Sequence, residues 1–233
     1  TDTFNTAVGH NAGKAVTTGT FNTLVGGLAG DALTDADKNT AIGYAALGAD
    51  TLGSLSTAVG RMALTSQNFT TATDTYNVAV GHNAGLLVTT ATNNTLIGAL
   101  AGDALTDGDN NVALGTNALG TETRADRNVS VGSHALATQN IGTDTDTYNT
   151  AVGHLTGYAL TTGVQNTLIG GLAGDALTDA DSNVAVGQIA LGADTLGSKS
   201  VAVGQGALAV QNFTTATDSH NTAVGYSAGT AVT

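Results

Sequence analysis

Hydrophobic residues along this chain follow a short phrase rather than long apolar runs: Asn or Ser, Thr or Val, a usually small residue, then Val, Ile or Leu, then Gly. The phrase begins at Asn5, Asn22, Asn39, Ser56, Asn77, Asn94, Asn111, Asn128, Asn149, Asn166, Asn183, Ser200 and Asn221. Apolar character alternating with period two over five residues predicts a short strand. The Thr, Val and Ile in it suit a pleated, half-buried surface. Successive starts are 17 residues apart, except that every fourth interval is 21. Four units thus make a superrepeat of 72 residues, giving 5–76, 77–148 and 149–220, with a partial copy at 221–233.

Numbering each unit from its Asn or Ser turns the alignment into physical statements. Position five is Gly in every unit. Position three is Ala, apart from Ser130 and from Leu24, Leu96 and Leu168 in each second unit, and position eight is Ala, apart from Thr156. Units one and two carry Gly at position nine and Val or Leu at position twelve (Val16, Leu33, Val88, Leu105). Units three and four carry Leu at nine (Leu47, Leu64, Leu119, Leu136) and Asp, Gln or Glu at twelve. A bulky filler is supplied once per unit by either route.

Seventeen residues are too few for a strand–helix–strand module, which takes about 30, and the load of Gly, Thr, Val and Asn disfavours helix. Strand, turn, strand and turn fit that length, as in one coil of a parallel β-solenoid whose neighbours stack about 4.8 Å apart. The expected fold is all-β, a parallel β-solenoid of about 13 coils that forms one repeat domain over residues 1–233. The Asn ladder is expected at a tight corner, because Asn tolerates left-handed backbone and stacked Asn side chains can bond coil to coil. With the aliphatic positions two and four inside the coil, positions three and five would leave a flat outer stripe. Small residues there would let identical chains approach closely, and closed symmetry favours a trimer or dimer.

The phrases Ser-Val-Ala-Val-Gly at 200–204, Asn-Val-Ala-Val-Gly at 77–81 and 183–187, and Asn-Thr-Ala-Ile-Gly at 39–43 resemble the core of the YadA-like head repeat. That repeat occurs in trimeric autotransporter adhesins, and similar repeats occur in phage tail fibres; the resemblance extends through all thirteen units. It implies a left-handed parallel β-roll, three chains about one axis, Val and Ile inside each roll and small residues toward the axis. By the same resemblance the chain is a segment of a surface fibre or adhesin, extracellular on a cell or virion, a homotrimer that attaches to a host-surface receptor or glycan.

Composition narrows the alternatives. There is no Pro in 233 residues, as expected where nearly every strand N–H feeds the next coil. Absence of Cys removes disulfides, Cys-ligated zinc and Cys nucleophiles. Six Lys and Arg against eighteen Asp and Glu give a net charge of -12, which weighs against nucleic acid or anionic lipid as a partner. No apolar run approaches the ~20 residues of a membrane span, so membrane insertion is not expected of this segment. The sequence starts inside a repeat with no charged and apolar leader, and is expected to be a portion of a longer fibre.

Groups that carry chemistry are scarce. The only acid besides Asp is Glu122, and no nucleophile elbow or phosphate-loop phrase opens a helix; the chain is not expected to be an enzyme. No cofactor is expected, with calcium as the one candidate. Asp-x-Asp-x-Asn recurs at Asp35 and Asp37, Asp107 and Asp109, and Asp179 and Asp181. Alternating oxygens of this kind begin calcium loops, but the Gly and Glu that complete an EF-hand are absent, and a solvated Asx corner is the favoured reading. His10, His82 and His154 recur at position six. Each long unit carries four extra residues within Gln67–Tyr76, Gln139–Tyr148 and Gln211–His220, bringing Phe69, Tyr76, Tyr148 and Phe213 to a chain with few aromatics. Insertions in repeat proteins emerge as loops on one face, which makes these four the candidate ligand contacts; aromatics tucked over the coil edge are the alternative. An ice-binding solenoid and a mechanical spacer are the competing functions.

Overall fold

The computed structural model describes residues 3–232. It is a parallel β-solenoid of about thirteen turns, coils about 17 residues apart, with no helix among the described residues. The chain divides into two compact units, the first ending at Asn111 and the second beginning at Val112.

In the first unit the strands are Thr6–Val8, Thr23–Val25, Thr40–Ile42, Thr57–Val59, Val78–Val80 and Thr95–Ile97. They pair in parallel in chain order, and each position faces its own equivalent: Thr6 lies opposite Thr23, Ala7 opposite Leu24, Val8 opposite Val25. The second unit repeats the scheme with Val112–Leu114, Val129–Val131, Thr150–Val152, Thr167–Ile169, Val184–Val186, Val201–Val203 and Thr222–Val224. Where a longer coil meets the coil before it, a second, two-residue ladder forms. Gly53–Ser54 pairs with Thr73–Asp74, Ala125–Asp126 with Thr145–Asp146, and Gly197–Ser198 with Thr217–Asp218.

The strand side chains face the opposite way from the expectation. Position three points into the coil: Leu24, Ala41, Ala58, Ala79, Leu96, Ala113, Ser130, Ala151, Leu168, Ala185 and Ala202 are buried. Positions two and four look outward, with Ile42 and Ile169 each 39% exposed. The expected interior Val and Ile, and the smooth outer stripe of small residues, are therefore corrected. Coil width is the reason. Leu24 already fills the space over two glycines, since a Cβ at Gly13 would meet its Cδ1 at 2.7 Å and one at Gly30 its Cδ2 at 2.8 Å. Positions three and nine share that narrow interior, so Leu at position three goes with Gly at position nine, and Leu at nine, as in Leu47 and Leu64, goes with Ala at three.

The Asn ladder also sits differently. Left-handed backbone falls on the residue before it, as at Phe21 (φ 59), Lys38 (φ 58) and Tyr76 (φ 53), while Asn22, Asn39 and Asn77 are buried. Asn22 Oδ1 accepts the backbone N–H of Asn39 at 2.9 Å, and its Nδ2 donates to the Ala36 carbonyl of its own coil at 2.7 Å. The Asn thus ties coil to coil through side chain and backbone and satisfies groups that a corner would leave bare. A second ladder runs at position thirteen, where Thr17 Oγ1 donates to the Thr34 carbonyl and Thr34 Oγ1 to the Thr51 carbonyl, each at 3.1 Å.

Candidate binding surfaces

In each unit the outward side chains of positions two and four form a flat face of Thr, Val, Ile and Leu held in register by the strand ladder. The exposed large apolar residues include Val8 and Ile42 in the first unit and Leu114, Ile169 and Val224 in the second. No charged side chain occupies either position in any coil.

The long coils are anchored by buried carboxylates. Asp50, fully buried, accepts the N–H groups of Gly53 and Phe69 at 3.0 Å each, and Gln67 Nε2 at 2.5 Å. Gln67 also donates to Ser56 Oγ at 2.9 Å, and its Oε1 accepts Asn77 Nδ2 at 2.9 Å. Asp194, Gln211, Ser200 and Asn221 repeat this network. In the middle copy Glu122 Oε1 accepts three consecutive backbone N–H groups, from Thr123, Arg124 and Ala125 at 2.8–3.0 Å. Its Oε2 accepts Gln139 Nε2 at 3.2 Å and the Ile141 N–H at 3.4 Å. Each of these buried acids is met by several N–H donors.

The four candidate contact aromatics part company. Phe69 is 7% exposed and tucked against the coil edge, and Phe213 is half-buried, where a Cβ on Gly197 would meet its Cδ2 at 2.8 Å. Tyr76 and Tyr148 project outward, with Tyr148 Oη donating to Asp146 at 3.1 Å and Tyr76 Oη 3.4 Å from Asp74. Tyr148 also lies under the Arg127 guanidinium, 5.7 Å from its ring centroid, and Arg127 is ion-paired with Asp146. Asp218 is held below the usual carboxylate range by its 2.5 Å hydrogen bond from Lys199 Nζ.

The Asp-rich corners act as braces. Asp35 Oδ1 accepts Thr18 Oγ1 at 2.5 Å, and Asp37 Oδ1 accepts the Thr20 N–H at 2.6 Å. Asp109 likewise accepts the Thr92 N–H at 2.6 Å, Asp179 accepts Thr162 Oγ1 at 2.6 Å, and Asp181 accepts the Val164 N–H at 2.8 Å. Asp107 accepts Thr106 Oγ1 at 2.7 Å. Among the described residues no three His, Asp or Glu side chains come together in a group that could hold a metal ion. His10, His82 and His154 are exposed, and His82 Nε2 lies 3.3 Å from Arg61 Nη1. Burial raises Asp103 and Asp175 above the usual carboxylate range, against a smaller lowering by backbone hydrogen bonds.

Sequence reasoning pointed to the long coils but missed the buried acids at their base and the outward apolar face. The first had a signal in the pairing of Asp or Glu with Gln at position twelve of adjacent coils. No family model matches this chain, and a search of curated proteins finds no match to it.

Proposed function

We propose that this chain is a segment of a homotrimeric surface fibre or adhesin, extracellular on a cell or virion, that projects from that surface or mediates attachment to a host receptor or glycan. The observation that carries the reading is the flat apolar face in each unit. An unbroken row of half-buried to exposed Val, Ile and Leu at position four, on a chain of net charge -12, calls for a cover, since soluble surfaces rarely leave such rows bare. Further copies of the same face about a closed axis supply one, and the YadA-like resemblance favours three. Tyr76 and Tyr148 on the long coils offer the receptor contacts; no cofactor and no catalysis enter this role.

Light scattering tests it, with an expected mass three times the 22.8 kDa of one chain. Replacing Ile42 and Val80 by Asp, both outward-facing, should give a folded monomer. A wild-type monomer would sink the proposal. One observation supports a second reading: Thr23, Thr40 and Thr57 stand in register on consecutive coils beside an aliphatic row, a regular flat lattice of the kind ice binding requires. Thermal hysteresis from a monomeric chain would select ice binding, and its absence together with a trimer the fibre.

A further inference from the structure

In the second unit, position six of three consecutive coils carries Gln188, Gln205 and Tyr226, and between them lies an open depression of about 200 Å³ floored by Ile189, Gly206 and Ala209. The depression has a single local cause. Position seven is occupied by a side chain in every other coil, among them Met62, His134, Ile189 and Ser227, and by Gly only at 206. The backbone there is the same as its neighbours', with φ 68 at Gly206, 59 at Ile189 and 51 at Ser227. A Cβ on Gly206 would meet nothing closer than Ser227 Oγ at 3.5 Å. Loss of one side chain from a regular row therefore opens the hollow, with no rearrangement of the coils.

Its lining is selective. None of the lining residues is Asp, Glu, Lys or Arg. Gln205 Nε2 donates to Gln188 Oε1 at 3.2 Å, a bond that does not use the Gln188 NH2 or the Gln205 carbonyl oxygen. The Tyr226 ring, 79% exposed, forms an aromatic wall, and Ile189, 40% exposed, an aliphatic floor. A few placed polar groups on an apolar bed is the make-up of small-molecule sites, and this one is smaller than the roughly 300 Å³ at which drug-sized pockets begin.

We infer that this depression binds one ring of a neutral saccharide, its C–H face against Tyr226 and its hydroxyls on the Gln188 and Gln205 amides. An anionic sugar is disfavoured by the acidic chain. The inference names a ligand class for the attachment role proposed above and rests on that reading, although the site lies within one chain.

Saturation-transfer NMR on the intact chain, with methyl glycosides of glucose, galactose, mannose and N-acetylglucosamine as probes and N-acetylneuraminic acid as the charged control, tests the site. A neutral glycoside is expected to bind with a dissociation constant on the order of 1 mM, as befits a ligand of so few atoms. Gly206→Met, a residue the row already accommodates at Met62, should weaken it at least tenfold with an unchanged melting profile. Gln205→Ala should weaken it without filling the hollow. Absence of transfer to every neutral probe, equal binding by Gly206→Met, or preference for the acidic sugar would each overturn the site. Glycoside binding by a chain that light scattering shows to be monomeric would uphold the site and overturn the trimeric fibre.

Discussion

At Asp50, in the first unit, the carboxylate lies so close to the turn that a Cβ on Gly53 would sit 2.2 Å from Oδ2; at Glu122, in the second unit, the residue three further on is Ala125, fully buried. Asp194 and Gly197 repeat the first arrangement, again with 2.2 Å. Acid and turn residue are chosen together. The short acid puts its carboxylate against the turn backbone and tolerates only Gly. The extra methylene of Glu lets the carboxylate gather three successive N–H groups while the turn keeps a methyl. The residue that meets the acid from the long coil differs in parallel: Phe69 and Phe213 at the Asp corners, Ile141 at the Glu corner, whose coils also carry the ion pairs Arg124–Asp144 and Arg127–Asp146. Near-identical coils therefore hold two local solutions to one task, burying an acid at the base of a longer loop.

The largest effect should come from removing the acids. Glu122→Ala strips five donors of their acceptor, and Asp50→Ala strips three. Buried donors left unpaired cost about 1–3 kcal/mol each, less where water reaches them. The expected losses are about 4–5 kcal/mol for Glu122→Ala and about 3 kcal/mol for Asp50→Ala, read from denaturant unfolding. Equal costs, or the reverse order, would mean that the longer acid gains nothing from its extra donors.

A smaller and more diagnostic effect concerns the coupling itself. Gly53→Ala alone should cost about 2–3 kcal/mol, because the new methyl must displace a buried carboxylate. Adding Asp50→Glu, which recreates the pairing seen at Glu122 and Ala125, should return at least half of that. A double-mutant cycle measures the coupling, expected at about 1–2 kcal/mol. A coupling near zero would show that the two corners differ by accident.

Coil number and spacing were legible in the sequence because a solenoid presents each position to its own equivalent one coil away, so structural demand appears as literal repetition. The direction of the side chains was not read, since the habit of placing Val and Ile inside ignores coil width. Its signal was nonetheless present: Leu24, Leu96 and Leu168 occur only in coils whose position nine is Gly, a volume exchange that makes sense only if both positions share one interior. The Thr ladder from Thr17 through Thr34 to Thr51 was visible by the same logic at a position whose neighbours vary. The paths of the long coils were less accessible. Extra residues have no equivalent in the adjoining short coils, so nothing periodic separates a tucked Phe69 from a projecting Tyr76. The hollow at Gly206 escaped for a related reason: one departure from a row is noticed only once the row is known to form a surface.

The smallest effect should lie at the ion pairs that accompany the Glu corner. Arg127 pairs with Asp146 and covers Tyr148, and both charged partners are nearly half exposed. Lys199 occupies the same place beside Asp218 in the third copy, whereas the first copy has Leu55 there. A position that accepts Arg, Lys or Leu is not demanding, and exposed ion pairs contribute about 0–1 kcal/mol with roughly 0.5–1 kcal/mol more for an exposed cation over a ring. Arg127→Leu should therefore cost no more than about 2 kcal/mol in dilute buffer. Most of that difference should vanish at 1 M salt, where the screening length falls to about 3 Å. Thermal unfolding of both proteins at low and high salt measures it. A loss well above 2 kcal/mol, or one indifferent to salt, would mean that the Arg cluster, not the buried Glu122, holds the middle corner closed.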